Sequence, residues 1–328
     1  MKKLICIFLL ICLGATSLVA CAPNDDNTIK LNEVTHSVFY APLYVAINQG
    51  YFEEYDIKID LTNGGGADKS MTAVISGQAD IGLMGPEAAI YIYNEGRKDY
   101  PVIFGQLTRK DGSFIVARED ISNFNWSMME NKEILGGRRG GAPAMALEYA
   151  LKKNNLVDGV NITINYDVQY DLMTSAFDSG VGNFCTMFEP AASNFCASGK
   201  GKIVASVGEM AGDMPFTAFM ATKSYIQNNS TKVENFMKAI QKGMDYVKNH
   251  TPEEIAECVK KSFDGTSVET LASAIKSYKD INAYMDTLVM KEEDFNRLQD
   301  VIIDAGVMQN KASFSDVVDN TLALKVAS

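Results

Sequence analysis

Three times in its first half the chain runs from a short apolar segment through glycine into a helix-forming stretch. These junctions lie at 62–68, 85–87 and 136–143. Residues 57–61, IKIDL, alternate strictly and predict a strand. The turn Thr62-Asn63-Gly64-Gly65-Gly66 follows it, then a helix over 67–76 stopped by Gly77, then a short apolar strand over 79–84. Upstream, 29–34 predicts a first strand. Residues 41–49, with Pro42 near the start and Gly50 past the end, predict a helix. Strands alternating with helices imply a parallel sheet covered by helices, hence an α/β fold.

The middle of the chain repeats that grammar. Strands are expected at 113–117, 133–135, 161–168, 184–188 and 203–207. Helices are expected at 143–153 and 172–179, and one opening at Glu189-Pro190. From Ser230 onward the pattern is helical. Capping boxes are expected at Thr231/Glu234, Thr251/Glu254 and Thr266/Glu269, and a last helix over 290–305 closes at Gly306. No internal repeat of fixed period is visible.

The N-terminus has its own chemistry. Lys2 and Lys3 precede an apolar run over 4–13, too short for a permanent span and suited to a signal-peptide core. Leu18-Val19-Ala20-Cys21 resembles the bacterial lipobox, in which the Cys thiol receives a diacylglycerol. The expected division is a signal at 1–20, then a tether at 21–28 anchored through Cys21. Processing would leave 308 of the 328 residues, enough for two lobes with separate cores. Loss of Lys2 and Lys3 takes the net charge from −11 to −13. That argues against a nucleic-acid partner, and leaves the lipid as the only membrane contact. Cys185, Cys196 and Cys258 remain, an odd count without CxxC spacing. With only His36 and His250 as histidines, far apart in sequence, metal chemistry and histidine-based catalysis have little to work with, and no cofactor is expected.

Ser37 to Ile47 (SVFYAPLYVAI), then Gln49-Gly50-Tyr51-Phe52, together with Ser76-Gly77-Gln78-Ala79-Asp80-Ile81-Gly82, resemble two signatures of one binding-protein family. Gly65-Gly66, the stretch Gly136 to Gly141, Phe188-Glu189-Pro190-Ala191 and Lys223-Ser224-Tyr225 resemble it further. That family serves importers of nitrate, alkanesulfonate, taurine and thiamine pyrimidine precursors. The resemblance implies the type II periplasmic-binding-protein fold, two α/β lobes with a ligand cleft between them. Crossovers are expected near Asp111-Gly112 and 213–215, giving one lobe of 29–112 with 214–328 and a second of 113–213. It implies an extracytoplasmic, monomeric partner of an ABC permease and its ATPase, with a small-molecule ligand, no cofactor and no catalysis.

In open α/β sheets ligands sit outside the carboxyl ends of strands. The expected ligand contacts are therefore the glycines and helix starts of the three junctions: Gly65, Gly66, Gly85, Glu87, Gly137, Arg138 and Gly140. His36, Phe39 and Tyr40 after the first strand, and Glu189 at the end of another, complete the set. Glycine lets backbone approach a ligand, and helix N-termini favour an anionic or accepting group. Arg138 suits an anion, the aromatics suit a flat ring, and Glu189 suits an amine. Each has a plainer reading: turn glycines, a core Phe39, a solvated His36, a surface Arg138 beside Arg139, a helix-starting Glu189. An amine-bearing heterocycle is the expected cargo. Alkanesulfonate, taurine or nitrate is the alternative. A pyrimidine-precursor-synthase-like enzyme, or a lipoprotein that senses or adheres, are further alternatives.

Overall fold

The computed structural model describes residues 27–119 and 121–328. Two five-stranded sheets organise them. The first contains β1 (Thr28–Glu33), β2 (Lys58–Asn63), β3 (Ile81–Met84), β4 (Pro101–Thr108) and β10 (Thr217–Thr222), in the order β2-β1-β3-β10-β4. The second contains β5 (Ser113–Ala117), β6 (Glu133–Leu135), β7 (Thr163–Asn165), β8 (Phe184–Phe188) and β9 (Lys202–Ser206), in the order β7-β6-β8-β5-β9. Each has four strands running one way and a single antiparallel strand, β10 or β5, in the fourth place between the third strand and the edge. The two sheets therefore share one topology although the sequence shows no repeat. The chain leaves the first sheet after Thr108, enters the second at Ser113, and returns between Ser206 and Thr217.

The helices lie where the chain crosses between strands. They are α1 (Ala41–Asn48), α2 (Ala67–Ile75), α3 (Glu87–Asn94), α4 (Ala142–Lys153), α5 (Met173–Asp178), α6 (Ala191–Ala197) and α7 (Val207–Ala211). A C-terminal group follows: α8 (Lys223–Asn228), α9 (Ser230–Asn249), α10 (Pro252–Val259), α11 (Val268–Asp280), α12 (Glu292–Asp304), α13 (Phe314–Val317) and α14 (Thr321–Ala327). Helix α9 packs on α1 so closely that a Cβ on Gly243 would stand 2.1 Å from the Pro42 carbonyl oxygen. The C-terminal helices thus rest mainly on the first sheet's layer. Helices α11 and α12 also reach the second half, at α6 and α4.

Several local expectations shift. β4 and β10 lack alternation because both faces are covered; every residue of β4 is buried. The strand expected over 161–168 shortens to β7. Before it, Asn161 and Asp158 side chains bind backbone N–H groups of Val157 and Ile164, and after it Tyr166, Asp167 and Val168 turn into the cleft. Of the three capping boxes, Thr251/Glu254 forms as expected. Thr231 does not cap α9. Asn229 joins α8 to α9, so the second helix starts at Ser230 without a side-chain cap. Ser267, not Thr266, caps α11, its hydroxyl accepting from Thr270 N at 3.1 Å. Helix α6 begins at Ala191 rather than at Glu189-Pro190. No helix among the described residues is long and apolar enough to cross a membrane. The signal, Cys21 and the tether up to residue 26 lie outside the described residues. The tether expected to run to 28 ends earlier, because Asn27 already donates to the Asp56 carboxylate at 2.7 Å and Thr28 opens β1.

Candidate functional site

A cavity of about 280 Å³ opens between the carboxyl ends of the two sets of parallel strands. β1 delivers Val34 and Thr35 to its wall. The Ser37 hydroxyl accepts from Phe39 N at 3.1 Å and starts a 3-10 turn over Val38–Tyr40. At three residues per turn, adjacent side chains diverge by about 120°. Tyr40 consequently lines the cavity, while Phe39 faces the core against Tyr278, Phe188 and Phe216, with ring centroids 4.9, 5.5 and 5.9 Å away. Burial raises the Tyr40 pKa well above the usual tyrosine value, so the phenol stays a neutral hydroxyl.

The three glycine junctions converge on this cavity. Gly65 and Gly66, at φ 67° and 153°, turn the chain from β2 into α2, which has no side-chain cap. Gly137 at φ 80° and Arg138 lead toward Gly141 and the uncapped start of α4. Arg138 is half exposed at the rim, its Nε 3.9 Å from the Asp68 carboxylate of the opposite junction. Gly140 lies off the cavity. Its carbonyl accepts from the Tyr91 hydroxyl of α3 at 2.9 Å.

Glu87, the first residue of α3, is 1% exposed. Its Oε1 accepts from Ala142 N at 3.1 Å, across the cleft, and its Oε2 is buried without a hydrogen-bond partner. Gly85 makes room for that carboxyl: a Cβ there would stand 2.0 Å from Oε2. Burial raises the Glu87 pKa. The N–H of Ala142, its own backbone N–H and the Arg138 charge pull the other way.

Glu189 and His36 sit elsewhere, behind Tyr170 and Phe188, on a second cavity of about 180 Å³. Both Glu189 oxygens are taken by Ser193, from its N at 2.9 Å and its hydroxyl at 2.7 Å, so the carboxylate starts α6. His36 Nδ1 lies 2.8 Å from Glu33 Oε1 and Nε2 lies 2.7 Å from the Ser262 carbonyl. Two acceptors suit the doubly protonated ring, and the Glu33 bond raises its pKa against the opposing effect of partial burial. Tyr166, Tyr170, Phe188, Phe216 and Thr217 also line the main cavity, and none of them is among the contacts expected from the sequence. Their signal was position, just past strand ends or at the return crossing. Cys185, Cys196 and Cys258 are free thiols.

Residues 38–255 match the family described as NMT1/THI5 like. YtlA of Bacillus subtilis (strain 168), named as a candidate binding protein, is 38% identical over 313 residues, covering 95% of this chain and 94% of that one. This chain belongs to the NMT1/THI5-like family. Its fold is similar to that of the periplasmic nitrate-binding protein NrtA from Synechocystis PCC 6803, with a TM-score of 0.76 at 14% identity over 92% of this chain and 89% of that one. It is likewise similar to the alkanesulfonate-binding protein SsuA from Xanthomonas axonopodis pv. citri, bound to MOPS. There the TM-score is 0.73 at 14% identity over 90% and 99%. The fold is that of the periplasmic binding proteins, two α/β lobes with a cleft between them. YtlA, NrtA and SsuA are each named as binding proteins, and none of the three for an enzymatic reaction.

Proposed function

We propose that this protein is the extracytoplasmic solute-binding component of an ABC importer, held to the membrane through a lipid on Cys21 and working as a monomer. Its cargo is a small, flat, nitrogen-bearing heterocycle of the pyrimidine type. Residues 29–112 with 214–328 form one lobe and 113–213 the other. Solute touching both lobes binds the closed form more tightly and shifts the population toward it, which the permease then meets. Membership of the family and the relatives' printed names support the importer reading.

The observation that carries the cargo is the cavity itself. Aromatic side chains of Tyr40, Tyr170, Phe188 and Phe216 wall it, and the buried Glu87 adds a carboxyl oxygen without a partner. Such walls suit a planar ring, and such an oxygen suits an N–H donor. A second reading, an alkanesulfonate or nitrate, draws on the two uncapped helix starts at Ala67 and Ala142 and on Arg138. Asp68 and Glu87 stand at those same starts, however, and Glu87 already takes the Ala142 N–H.

A thermal-shift screen of the protein beginning at residue 22 tests the reading. Ligand at a hundred times its dissociation constant adds about 2.7 kcal/mol of stability. A shift with pyrimidines and their amino derivatives is expected. A shift confined to sulfonates, taurine or nitrate would transfer the protein to the second reading.

A further inference from the structure

Glu87 combines three features that its neighbours do not share. It is a buried carboxyl with one oxygen spoken for and the other empty-handed. The empty oxygen belongs to a side chain on the cavity wall. The chain also leaves a glycine where any Cβ would push that oxygen aside. A buried acceptor without a donor is destabilising, and a chain under selection for stability alone would fill or remove it. Gly85-Pro86-Glu87 instead builds a socket around it. The partnered oxygen has an equally particular role. Its donor, Ala142 N, belongs to the start of α4, and α4 follows the second sheet's strand β6, whereas Glu87 follows the first sheet's strand β3. One turn further along α3, Tyr91 reaches the same glycine loop at Gly140.

We infer that Glu87 determines specificity and couples it to closure: Oε2 accepts a hydrogen bond from an N–H donor of the solute, while Oε1 fastens the opposite lobe through Ala142 N. The inference rests on the reading of this cavity as the solute site and narrows it to solutes with an N–H group, neutral or cationic, at the end that meets α3. An N–H donor filling the orphan position satisfies a group that closure would otherwise strand. The side chain therefore favours the closed lobe only when the right solute is inside. A solute presenting only acceptors at that end meets carboxylate against lone pair, and is rejected. Arg138, half exposed at the rim, is left to the outer end of the ligand or to Asp68.

The test uses a volume-matched pair, 4-aminopyrimidine and 4-methylpyrimidine, titrated by calorimetry into the wild-type protein and Glu87→Gln. The amide can keep its oxygen on Ala142 N, and then shows the cavity an NH2 donor in place of an acceptor. The wild type should prefer the amino compound by roughly tenfold to a hundredfold, as for a hydrogen bond to a charged group. In Glu87→Gln the preference should vanish, and 4-pyrimidinone, with an acceptor at the same position, should gain. Gly85→Ala serves as a second variant should Glu87→Gln fail to fold. Gly85 has no positive φ to strain, and its new Cβ displaces the carboxyl, so the amino preference should fall there too. Wild-type binding of both pyrimidines with equal affinity overturns the role of Glu87 and leaves the solute-site reading standing. Binding of neither, with binding of a sulfonate, removes the reading and the inference with it.

Discussion

The Oε1 atom of Glu87 and the backbone N of Ala142 stand 3.1 Å apart and join the two halves of the molecule across the cleft. The bond can be cut without touching Glu87. Ala142 is the first residue of α4, where proline is tolerated, and Gly141 before it already has φ −83° and ψ 150°, which suit the residue preceding a proline. Ala142→Pro should keep α4 helical by circular dichroism and weaken solute binding roughly tenfold, the size expected when a buried charged acceptor loses its donor. Unchanged affinity would mean that the contact contributes nothing to closure.

Tyr40 separates stacking from hydrogen bonding. Tyr40→Phe keeps the buried ring and loses only the hydroxyl, so chemical unfolding should register a change of no more than about 1 kcal/mol while ligand affinity stays within a few-fold. Tyr40→Ala removes a side chain that is 1% exposed, and should cost about 3–5 kcal/mol as well as most of the binding. Full binding by a folded Tyr40→Ala protein would remove the aromatic wall from the account.

Glu189 gives the opposite pattern. Its carboxylate serves Ser193 at the start of α6, on the far side of Phe188. Glu189→Ala should lower stability by about 1–2 kcal/mol, as loss of a helix cap does, with affinity nearly unchanged. A large drop in affinity at unchanged stability would return this carboxylate to the ligand.

Asp111 lies at the first crossing between the sheets, fully buried. Its Oδ1 accepts from both the N and the hydroxyl of Ser113, and its Oδ2 has no partner. Burial pushes its pKa up from 3.8 to about 7, against the Ser113 bonds. A raised pKa means that the folded state holds the proton longer than the unfolded one. The associated stability is present below about pH 4 and is lost as pH rises to about 7, on the order of 4 kcal/mol over that window. Asp111→Asn keeps an acceptor for Ser113 and has no proton to lose. Urea unfolding between pH 4 and 8 should show the wild type losing stability relative to the variant as pH rises. Parallel profiles would contradict the burial argument.

Much of this architecture is legible along the chain because backbone geometry demands it. Gly65, Gly66 and Gly137 hold positive φ where strands turn into helices, and those turns place the cavity. Buried strands such as β4 and β10 carry no alternation, so periodicity is silent there. Phe39 and Tyr40 are neighbours in one 3-10 turn, and only packing decides which ring reaches the cleft. Glu87 and Glu189 are both acidic residues at helix starts. What separates them is the presence of Ser193 within reach of one and its absence from the other, a tertiary fact. Tyr166 lies in the irregular stretch after β7 and Tyr170 opens a short 3-10 turn before α5, and their only mark in the sequence is that place after a strand.

Closure of the two lobes on a nitrogen-bearing ring is the proposed working motion of the protein. It is tested most directly by small-angle X-ray scattering of one sample titrated with 4-aminopyrimidine and another with methanesulfonate. A saturable contraction is expected with the aminopyrimidine and none with the sulfonate. Contraction with the sulfonate alone would contradict it.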